Sequence, residues 1–267
     1  MDSSLTVIVL VILGGMGLIV GSFLNVVIYR VPLGLSIVSP GSACPSCHAP
    51  ISPRDNIPVL SWLLLRARCR SCGAHISARY PLVEAATALL WVALGWWAIG
   101  ETIDPVLPLL LVIASAGVAL TMIDIDHHRL PDAIVLPLYP VTVVGLAFAG
   151  LVSHSWPLAS TAIGAGVWLL LIGGLWLLTG GRGMGFGDVK LAPVLGATLG
   201  WIGVGAALVG LLAAFVLGGL VGIVLLASGR AGRKAKMPFG PFLLIGALVG
   251  LFIGAGLWDS YVASLGL

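Results

Sequence analysis

Long apolar runs recur along almost the whole chain, and they constrain its fold more than any other feature. Most of them are about as long as a helix needs to be to cross a hydrocarbon core of roughly 30 Å. The eight runs cover residues 5–29, 82–100, 105–123, 133–152, 158–179, 189–201, 203–228 and 241–258. Only 9% of the residues are charged, against about 25% in an ordinary soluble domain. This balance excludes soluble globular, disordered, coiled-coil and nucleic-acid-binding proteins, and it predicts an all-α polytopic membrane protein.

Residues 189–228 form the one apolar stretch whose number of crossings is not decided by length. The stretch fits one overlong helix, or two crossings with a turn near Gly200 and Trp201. Basic residues flank both ends, and basic loops prefer the cytoplasm. They are Arg182 and Lys190 at one end and Arg230, Arg233, Lys234 and Lys236 at the other. We therefore expect two crossings, the first of them short and either tilted or only partly spanning.

With about eight transmembrane helices, the thirteen Lys and Arg residues all face the cytoplasm and both termini lie outside. The first run follows Asp2 without a basic residue and lacks a small-residue cleavage pattern at its end. We therefore expect it to be a permanent span and not a secretory signal. Glycines spaced four residues apart favour close helix packing, although glycine is also frequent in membrane helices in general. These pairs are Gly17 and Gly21, Gly218 and Gly222, and Gly246 and Gly250.

Residues 30–81 form a polar, proline-rich segment between the first and second runs, which we interpret as a small cytoplasmic domain. All four cysteines lie in it, as Cys44-Pro-Ser-Cys47 and Cys69-Arg-Ser-Cys72. Two such turns can supply the tetrahedral sulfur shell that suits Zn²⁺. Metal binding would contribute directly to the folding of a domain too short to bury much core. Four sulfur ligands leave no open position, which indicates a structural metal site.

Two alternatives to this zinc site are open. The cysteines could form a pair of disulfides or stay unpaired, but disulfides are disfavoured in the reducing compartment where positive charge places the loop. His48 and His75 lie beside the two turns and could replace a ligand. The spacing favours the cysteines.

Several aspartates fall at the predicted cytoplasmic edge of the membrane, where a charge is costly unless it is paired or lines a cavity. They are Asp124, Asp126, Asp132 and Asp188. Asp124 falls in the last turn of the third span, and Asp188 leads directly into the sixth. Two acids brought together there cannot both ionise easily, so one can deprotonate a water while the other protonates a peptide carbonyl oxygen. Gly185 and Gly187 would let backbone approach an extended substrate closely.

Ordinary structural roles compete with this interpretation. Asp188 could cap the start of a helix, and Asp124 could pair with Arg129. Asp126 lies further out and is expected to be more solvated, while Asp132 is expected to begin a helix. Each of these roles is a simple alternative for one residue taken alone.

Other functions also compete. His127 and His128 suggest a metal site, but adjacent residues on a helix point apart, so we interpret them as interfacial. A proton-coupled membrane transporter also places acidic residues in membrane helices, but carboxylates at one membrane edge, beside a zinc domain, fit it poorly. A zinc-dependent protease needs an open metal site, and the sequence contains no His-Glu-x-x-His.

Six motifs, in order, make the chain resemble the bacterial prepilin leader peptidases of type IV pilus and type II secretion systems. These belong to the Gly-x-Gly-Asp class of membrane aspartyl proteases. The motifs are residues 21–32, the two Cys-x-x-Cys pairs, residues 76–84, residues 121–132, residues 185–190 (Gly-Phe-Gly-Asp-Val-Lys) and residues 238–241 (Pro-Phe-Gly-Pro). The resemblance covers nearly the whole chain.

The resemblance implies that Asp124 and Asp188 are the catalytic pair, which resolves the choice between Asp124 and Asp126. It implies cleavage of the basic leader of prepilins or pseudopilins, after a glycine, at the cytoplasmic face of the bacterial inner membrane. It also implies N-methylation of the new N-terminus with S-adenosylmethionine. No nucleotide-binding fold is visible, and we expect the methyl-donor site near Asn25, Arg30, Arg79 and Glu84. The expected domains are a first helix (1–29), a zinc-binding domain (30–81) and a peptidase domain (82–267).

Overall fold

The computed structural model describes residues 2–100, 103–228 and 237–266, and every long element in these ranges is a helix. The helices are α1 (Ser3–Arg30), α2 (Leu60–Leu64), α3 (Arg79–Ala98), α4 (Leu107–His127), α5 (Asp132–Ser153), α6 (Leu158–Leu178), α7 (Phe186–Ile202), α8 (Val204–Ala227), α9 (Gly240–Val249) and α10 (Ala255–Ser264). The prediction of an all-α membrane protein is confirmed. An apolar run in lipid must satisfy its own backbone hydrogen bonds, and a helix does so within the run.

Seven helices among the described residues are long and apolar enough to cross a membrane, the last running from α9 through a π-helical segment into α10. The remaining predicted run, residues 189–201, corresponds to α7, which has 17 residues. At about 1.5 Å per residue its length is about 25 Å, which falls short of a hydrocarbon core of roughly 30 Å. The expected short helix is therefore present, and the chain turns just after it, at Gly203. The four basic residues after α8, for which we predicted a cytoplasmic location, lie outside the described residues; they are Arg230, Arg233, Lys234 and Lys236.

The chain divides into two compact units, Met1–Ala119 and Leu120–Leu267. In the first unit, α1 packs along α3. A β-carbon added at Gly17 would lie 2.7 Å from the Ala88 Cα, and one at Gly21 would lie 2.6 Å from the Glu84 Cα. Since no real side chain fits at such distances, the predicted close packing at this glycine pair is confirmed.

In the second unit, α7 is enclosed by α5, α6, α8 and α9, and more than half of its residues are buried. A β-carbon at Gly164 of α6 would lie 2.9 Å from the Gly200 Cα of α7. The fully buried Trp168 of α6 donates its indole N–H to the Ala207 carbonyl oxygen of α8 at 2.9 Å. These contacts hold α7, which carries Asp188 near its start, inside a frame of longer helices.

The two other predicted glycine pairs differ from each other. A β-carbon at Gly250 would lie 2.8 Å from the Gly210 Cα, and Gly246 is equally close to α8, so close packing of that pair is confirmed. At Gly218 a β-carbon would lie 2.9 Å from the Phe239 ring, whereas at Gly222 its nearest neighbour would be at an ordinary 3.7 Å. Only the first member of that pair therefore lies at a close contact.

Candidate active site and metal centre

Asp124 lies in the last turn of α4, as predicted, and only 5% of its surface is exposed. Its Oδ2 accepts the backbone N–H of Gly240, the first residue of α9, at 3.0 Å. The carbonyl oxygen of Asp124 accepts the His128 N–H at 2.8 Å, where α4 ends. The end of one helix and the start of another, far apart in sequence, therefore fix this carboxylate.

Asp188 is the third residue of α7 and is also 5% exposed. Its Oδ2 accepts the Gly185 N–H at 3.1 Å, and its own N–H donates to the Gly185 carbonyl oxygen at 3.1 Å. The capping role considered for Asp188 is thus present, but it uses only one carboxylate oxygen. Oδ1 is buried and has no hydrogen-bond partner among the described residues. A buried acceptor without a partner is rare in proteins, and such atoms are candidates for a functional role.

One residue, Leu130, contacts the surroundings of both carboxylates. It is 8% exposed and packs against Gly187, which precedes Asp188, and against Gly240, which donates to Asp124. A β-carbon at Gly187 would lie 2.8 Å from the Leu130 Cβ, and one at Gly240 would lie 3.1 Å from the Leu130 Cδ2. The loop after α4 therefore fits against both segments only because these two positions are glycines.

The remaining aspartates of this edge have different environments. Asp126 is exposed, and Asp132 is exposed at the start of α5, both as predicted. Both oxygens of Asp132 accept hydrogen bonds from Lys190 Nζ, at 2.7 and 2.8 Å. The Tyr139 hydroxyl also donates to the Lys190 carbonyl oxygen at 2.7 Å. These bonds tie α5 to the first turn of α7, beside Asp188.

This α5–α7 link and the bond from Gly240 were missed by sequence reasoning. The sequence did contain a signal for the ion pair, since Asp132 closely follows Asp124 and Lys190 closely follows Asp188. For Gly240, the signal was a Gly-Pro step at the start of the last apolar run. Neither pattern indicates which distant residue the side chain or the N–H will contact.

The four cysteines form a cluster suited to a metal ion, and it is the only such group found among the described residues. All four are free thiols, their Sγ atoms lie within 4.8 Å of one another, and Cys44 Sγ is 3.9 Å from Cys72 Sγ. Zn–S bonds of about 2.3 Å in a tetrahedron place sulfurs about 3.8 Å apart. The residues present therefore fit Zn²⁺, and His48, His75, His127 and His128 are outside the cluster.

The two cysteine turns share one backbone geometry. In each, the N–H of the first cysteine donates to a carbonyl just beyond the second, at 3.0 Å for Cys44 and 2.8 Å for Cys69. The residue after the second cysteine is left-handed in both, with φ of 58° at His48 and 72° at Gly73. The sequence repeat Cys-x-Ser-Cys thus folds into a repeated structure whose thiols converge.

Hydrogen bonds within this cluster shift the pKa values of two of its thiols in opposite directions. Backbone N–H groups of the first cysteine turn lower the pKa of the Cys44 thiol to about 6, which favours the thiolate. A backbone hydrogen bond also lowers the pKa of Cys72, but hydrogen bonds with the neighbouring thiols and burial outweigh it and raise that pKa to about 11. Arg70, inside the second turn, donates to Asp55 Oδ1 at 2.6 Å and Oδ2 at 2.9 Å. The guanidinium thereby lowers the pKa of the Asp55 carboxyl and ties the turn to the segment before α2.

The residues expected near a methyl donor were Asn25, Arg30, Arg79 and Glu84. Asn25 Nδ2 donates to the Tyr80 carbonyl oxygen at 3.2 Å, and the buried Glu84 accepts the Val59 N–H at 2.7 Å. Arg30 donates to two carbonyl oxygens of the loop after α1, at 2.9 and 2.7 Å. The structure therefore places Asn25 and Glu84 along the α1–α3 contact, with Arg79 at the start of α3, and bonds Arg30 to the loop.

Comparison with known proteins covers both parts of the chain. Residues 16–98 match the bacterial peptidase A24 N-terminal domain, and residues 110–223 match the type IV leader peptidase family. The prepilin leader peptidase/N-methyltransferase of Aeromonas hydrophila is 38% identical over 281 residues, covering 92% of this chain and 91% of that protein. The protein of the same name from Pseudomonas aeruginosa is 35% identical over 282 residues, covering 94% and 92%. No solved structure matches the chain.

A relative from Myxococcus xanthus with the same name is 44% identical over 228 residues, covering 83% of this chain and 64% of that protein. The cysteine cluster falls within the first matched region and the two buried aspartates within the second. The family expected from the six motifs is thus confirmed. With two buried carboxylates, a four-cysteine cluster and this similarity over most of its length, the chain belongs to the type IV leader peptidase family.

Proposed function

We propose that this protein is a membrane aspartyl endopeptidase that removes the basic leader of prepilins or pseudopilins after a glycine. One observation carries the proposal: Asp124 and Asp188 are both buried, each is held by a single backbone N–H, and Gly187 beside Asp188 and Gly240 bonded to Asp124 pack on the same residue, Leu130. A pair held this way keeps one oxygen of each carboxylate for chemistry. No observation on this chain favours a transporter.

The chemistry follows from the proximity of two like charges. Such a pair holds one proton between two carboxyl groups, because ionising both is unfavourable. The ionised member takes a proton from water, the resulting hydroxide attacks the carbonyl carbon, and the protonated member donates to the carbonyl oxygen. When the C–N bond breaks, the amine leaves with the proton taken from water. One hydroxyl of the tetrahedral intermediate then returns its proton to the carboxylate that had protonated the carbonyl oxygen, which regenerates the pair. The bonds from Gly185 and Gly240 hold both carboxylates in place throughout.

Gly185 and Gly187 were expected to give a substrate backbone room, and the geometry favours a second role in support of Asp188. Gly185 supplies the N–H that orients the carboxylate. Gly187 lets Leu130 pack beside it, because a β-carbon there would lie 2.8 Å from the Leu130 Cβ. We attribute the arrangement of the site to these glycines and to Gly240.

The proposed sidedness rests on charge and on helix counting. Two candidate crossings, α3 and α4, separate the cysteine domain from the end of α4 at Asp124, and an even number of crossings supports one common side of the membrane for both. The arginines of residues 30–81 favour the cytoplasm for that side. We therefore propose a multi-pass protein of the bacterial inner membrane, with outside termini, a zinc-binding domain at 30–81 and the peptidase site within 82–267.

A second proposed activity is N-methylation of the new N-terminus with S-adenosylmethionine. It is supported by the names of the relatives, which include N-methyltransferase. Asn25, Arg30, Arg79 and Glu84 stay the candidate residues. Of these, Glu84 and Asn25 are already engaged with backbone groups of the same unit, and would act from those fixed positions.

Both activities can be tested in one reaction. A prepilin incubated with the purified protein should lose its leader after a glycine, and its new N-terminus should gain one methyl group only when S-adenosylmethionine is added. Mass spectrometry of the N-terminal peptide reports both results. Intact leader would contradict the peptidase proposal, and cleavage without methylation would contradict the methyltransferase proposal alone.

The glycine at position 240 offers a test of how the site is built. In Gly240→Ala, the new β-carbon would lie 2.8 Å from Asp124 Oδ2, so the carboxylate must move. Misplacement by about 1 Å can cost about a hundredfold in rate, and we expect a loss of that order in prepilin cleavage. The matched control is Gly219→Ala in α8, where nothing lies within 4 Å of the new atom. Equal cleavage by the two variants would contradict this role of Gly240.

A further inference from the structure

The short helix α2 exposes leucines in a segment that lies outside the membrane-spanning helices. Leu60, Leu63 and Leu64 are 48%, 58% and 73% exposed, whereas Ser61 is 7% exposed. The buried face of α2 is used by its own unit, since the Ser61 hydroxyl donates to the Arg54 carbonyl oxygen at 3.0 Å. Clustered exposed apolar side chains on one helix outside the membrane spans mark an interaction surface.

Two hydrogen bonds tie α2 to the start of α3. The Val59 N–H, just before α2, donates to Glu84 of α3 at 2.7 Å. The indole N–H of Trp62 donates to the Ile76 carbonyl oxygen at 3.0 Å, just before α3 begins. Because α3 is a membrane-spanning candidate that begins at Arg79, both bonds hold α2 beside the start of a candidate span.

Cations follow the leucines directly. Arg66 and Arg68 are both exposed, and α2 ends in two bonds, from the Arg66 N–H to the Leu63 carbonyl at 3.0 Å and from the Ala67 N–H to the Trp62 carbonyl at 2.9 Å. This is the pattern of a Schellman helix end, in which the left-handed residue is usually glycine. Here that residue is Arg66, with φ of 51°. A charged side chain thus stands beside the leucines at a cost in backbone strain.

We propose that α2 lies in the plane of the membrane surface, with Leu60, Leu63 and Leu64 among the acyl chains and Arg66 and Arg68 on the phosphates of anionic lipids. Apolar side chains with adjacent cations are the features by which interfacial helices bind anionic bilayers. The positive charge also favours anionic lipid over a prepilin as the partner of this surface, because the arginines would repel the basic leader of a prepilin. The surface uses none of the residues to which the proposed cleavage is assigned.

Photocrosslinking tests this directly. The full-length protein, with a benzophenone amino acid at Leu63 or Leu64, is placed in nanodiscs containing phosphatidylcholine and phosphatidylglycerol. We expect lipid adducts from both positions and a yield severalfold lower from Ser46, an exposed residue of the first cysteine turn. Zinc content, measured on every variant, shows that the domain is folded. Adducts to an added prepilin in place of lipid, or equal yields at Ser46, would overturn the proposal.

A second variant tests the role of the Arg66 charge. Arg66→Gly suits the left-handed position, so the helix end is retained while the charge is lost. We expect the preference of the Leu63 crosslink for phosphatidylglycerol over phosphatidylcholine to fall about fivefold, the weight of one cation near an anionic surface. An unchanged preference with normal zinc content would overturn the assignment of Arg66 to lipid phosphates. None of these readouts depends on cleavage, so failure of the proposed peptidase function is distinguishable.

Discussion

Asp124→Asn and Asp188→Asn are each expected to abolish prepilin cleavage while leaving the protein folded. Asparagine has almost the same shape, and its amide oxygen can still accept the N–H of Gly240 or Gly185. It cannot take a proton from water, and it cannot hold the proton that the pair shares. General acid–base catalysis contributes about 10²–10⁴ in rate, so we expect a loss of at least about a hundredfold in the rate of leader removal, followed by mass spectrometry.

Asp126→Asn is the matched control for this pair. Asp126 lies on the same helix, close to Asp124 in sequence, but it is exposed, so its loss should leave the cleavage rate near that of the parent. Thermal unfolding in detergent checks that all three variants keep the fold. Substantial cleavage by either Asp124→Asn or Asp188→Asn would contradict an aspartyl mechanism, and an equal loss in Asp126→Asn would show that the assay reports charge and not catalysis.

The second large effect is expected at the cysteine cluster. Replacing Cys44 and Cys72 together by serine removes half of the sulfur ligands, and the remaining pair cannot complete a tetrahedral site. Structural zinc contributes folding free energy directly, about 10–16 kcal/mol in small zinc-binding peptides. We expect zinc content, measured by plasma mass spectrometry, to fall from about one ion per chain to near zero. Residues 40–75 should then exchange their amide hydrogens faster.

His48→Gly separates the metal ligands from their neighbours. His48 follows the first pair of cysteines with φ of 58°, a conformation that glycine adopts without strain, so the turn should keep its shape and its zinc. Loss of zinc in His48→Gly would assign the histidine a ligand role. Absence of zinc from the parent protein, purified without chelator, would contradict the metal site itself.

Local patterns in the sequence were sufficient to predict the long helices and the cysteine cluster, but not the short helix α2. An apolar run must form a helix in lipid, so its bounds follow from composition. We expected α7 to be short because basic residues at both ends of the 189–228 stretch favour two crossings. In two Cys-x-x-Cys turns, the local spacing of the cysteines itself determines how the ligands are placed. Asp124 was placed in the last turn of α4 by the end of an apolar run, and its burial agrees with that position.

Contacts between distant segments could not be predicted in this way. Gly240 lies 116 residues from Asp124, and Lys190 lies 58 residues from Asp132. No periodicity or spacing connects such positions, since the pairing is decided by how whole helices pack. The motif around Gly240 was visible in the sequence, but the role of the Gly240 N–H depends on the carboxylate to which it donates.

The same limit applies to Glu84. The sequence places it at the start of a membrane helix, where a buried carboxylate needs a partner. The partner is the N–H of Val59, whose φ of 59° is unusual for a β-branched residue. A backbone conformation that sequence rules disfavour was not predictable, although the need for some donor near Glu84 was.

The bonds that hold the two aspartates come from the main chain, and this shapes how the site tolerates genetic change. A side-chain donor can be deleted by one codon, but the N–H groups of Gly185 and Gly240 persist under every substitution except proline. In a saturation mutagenesis survey, damaging changes around the pair should therefore sort by the volume they add and hardly by the polarity they remove. The site would then tolerate drift in its polar surroundings while staying intolerant of any added bulk.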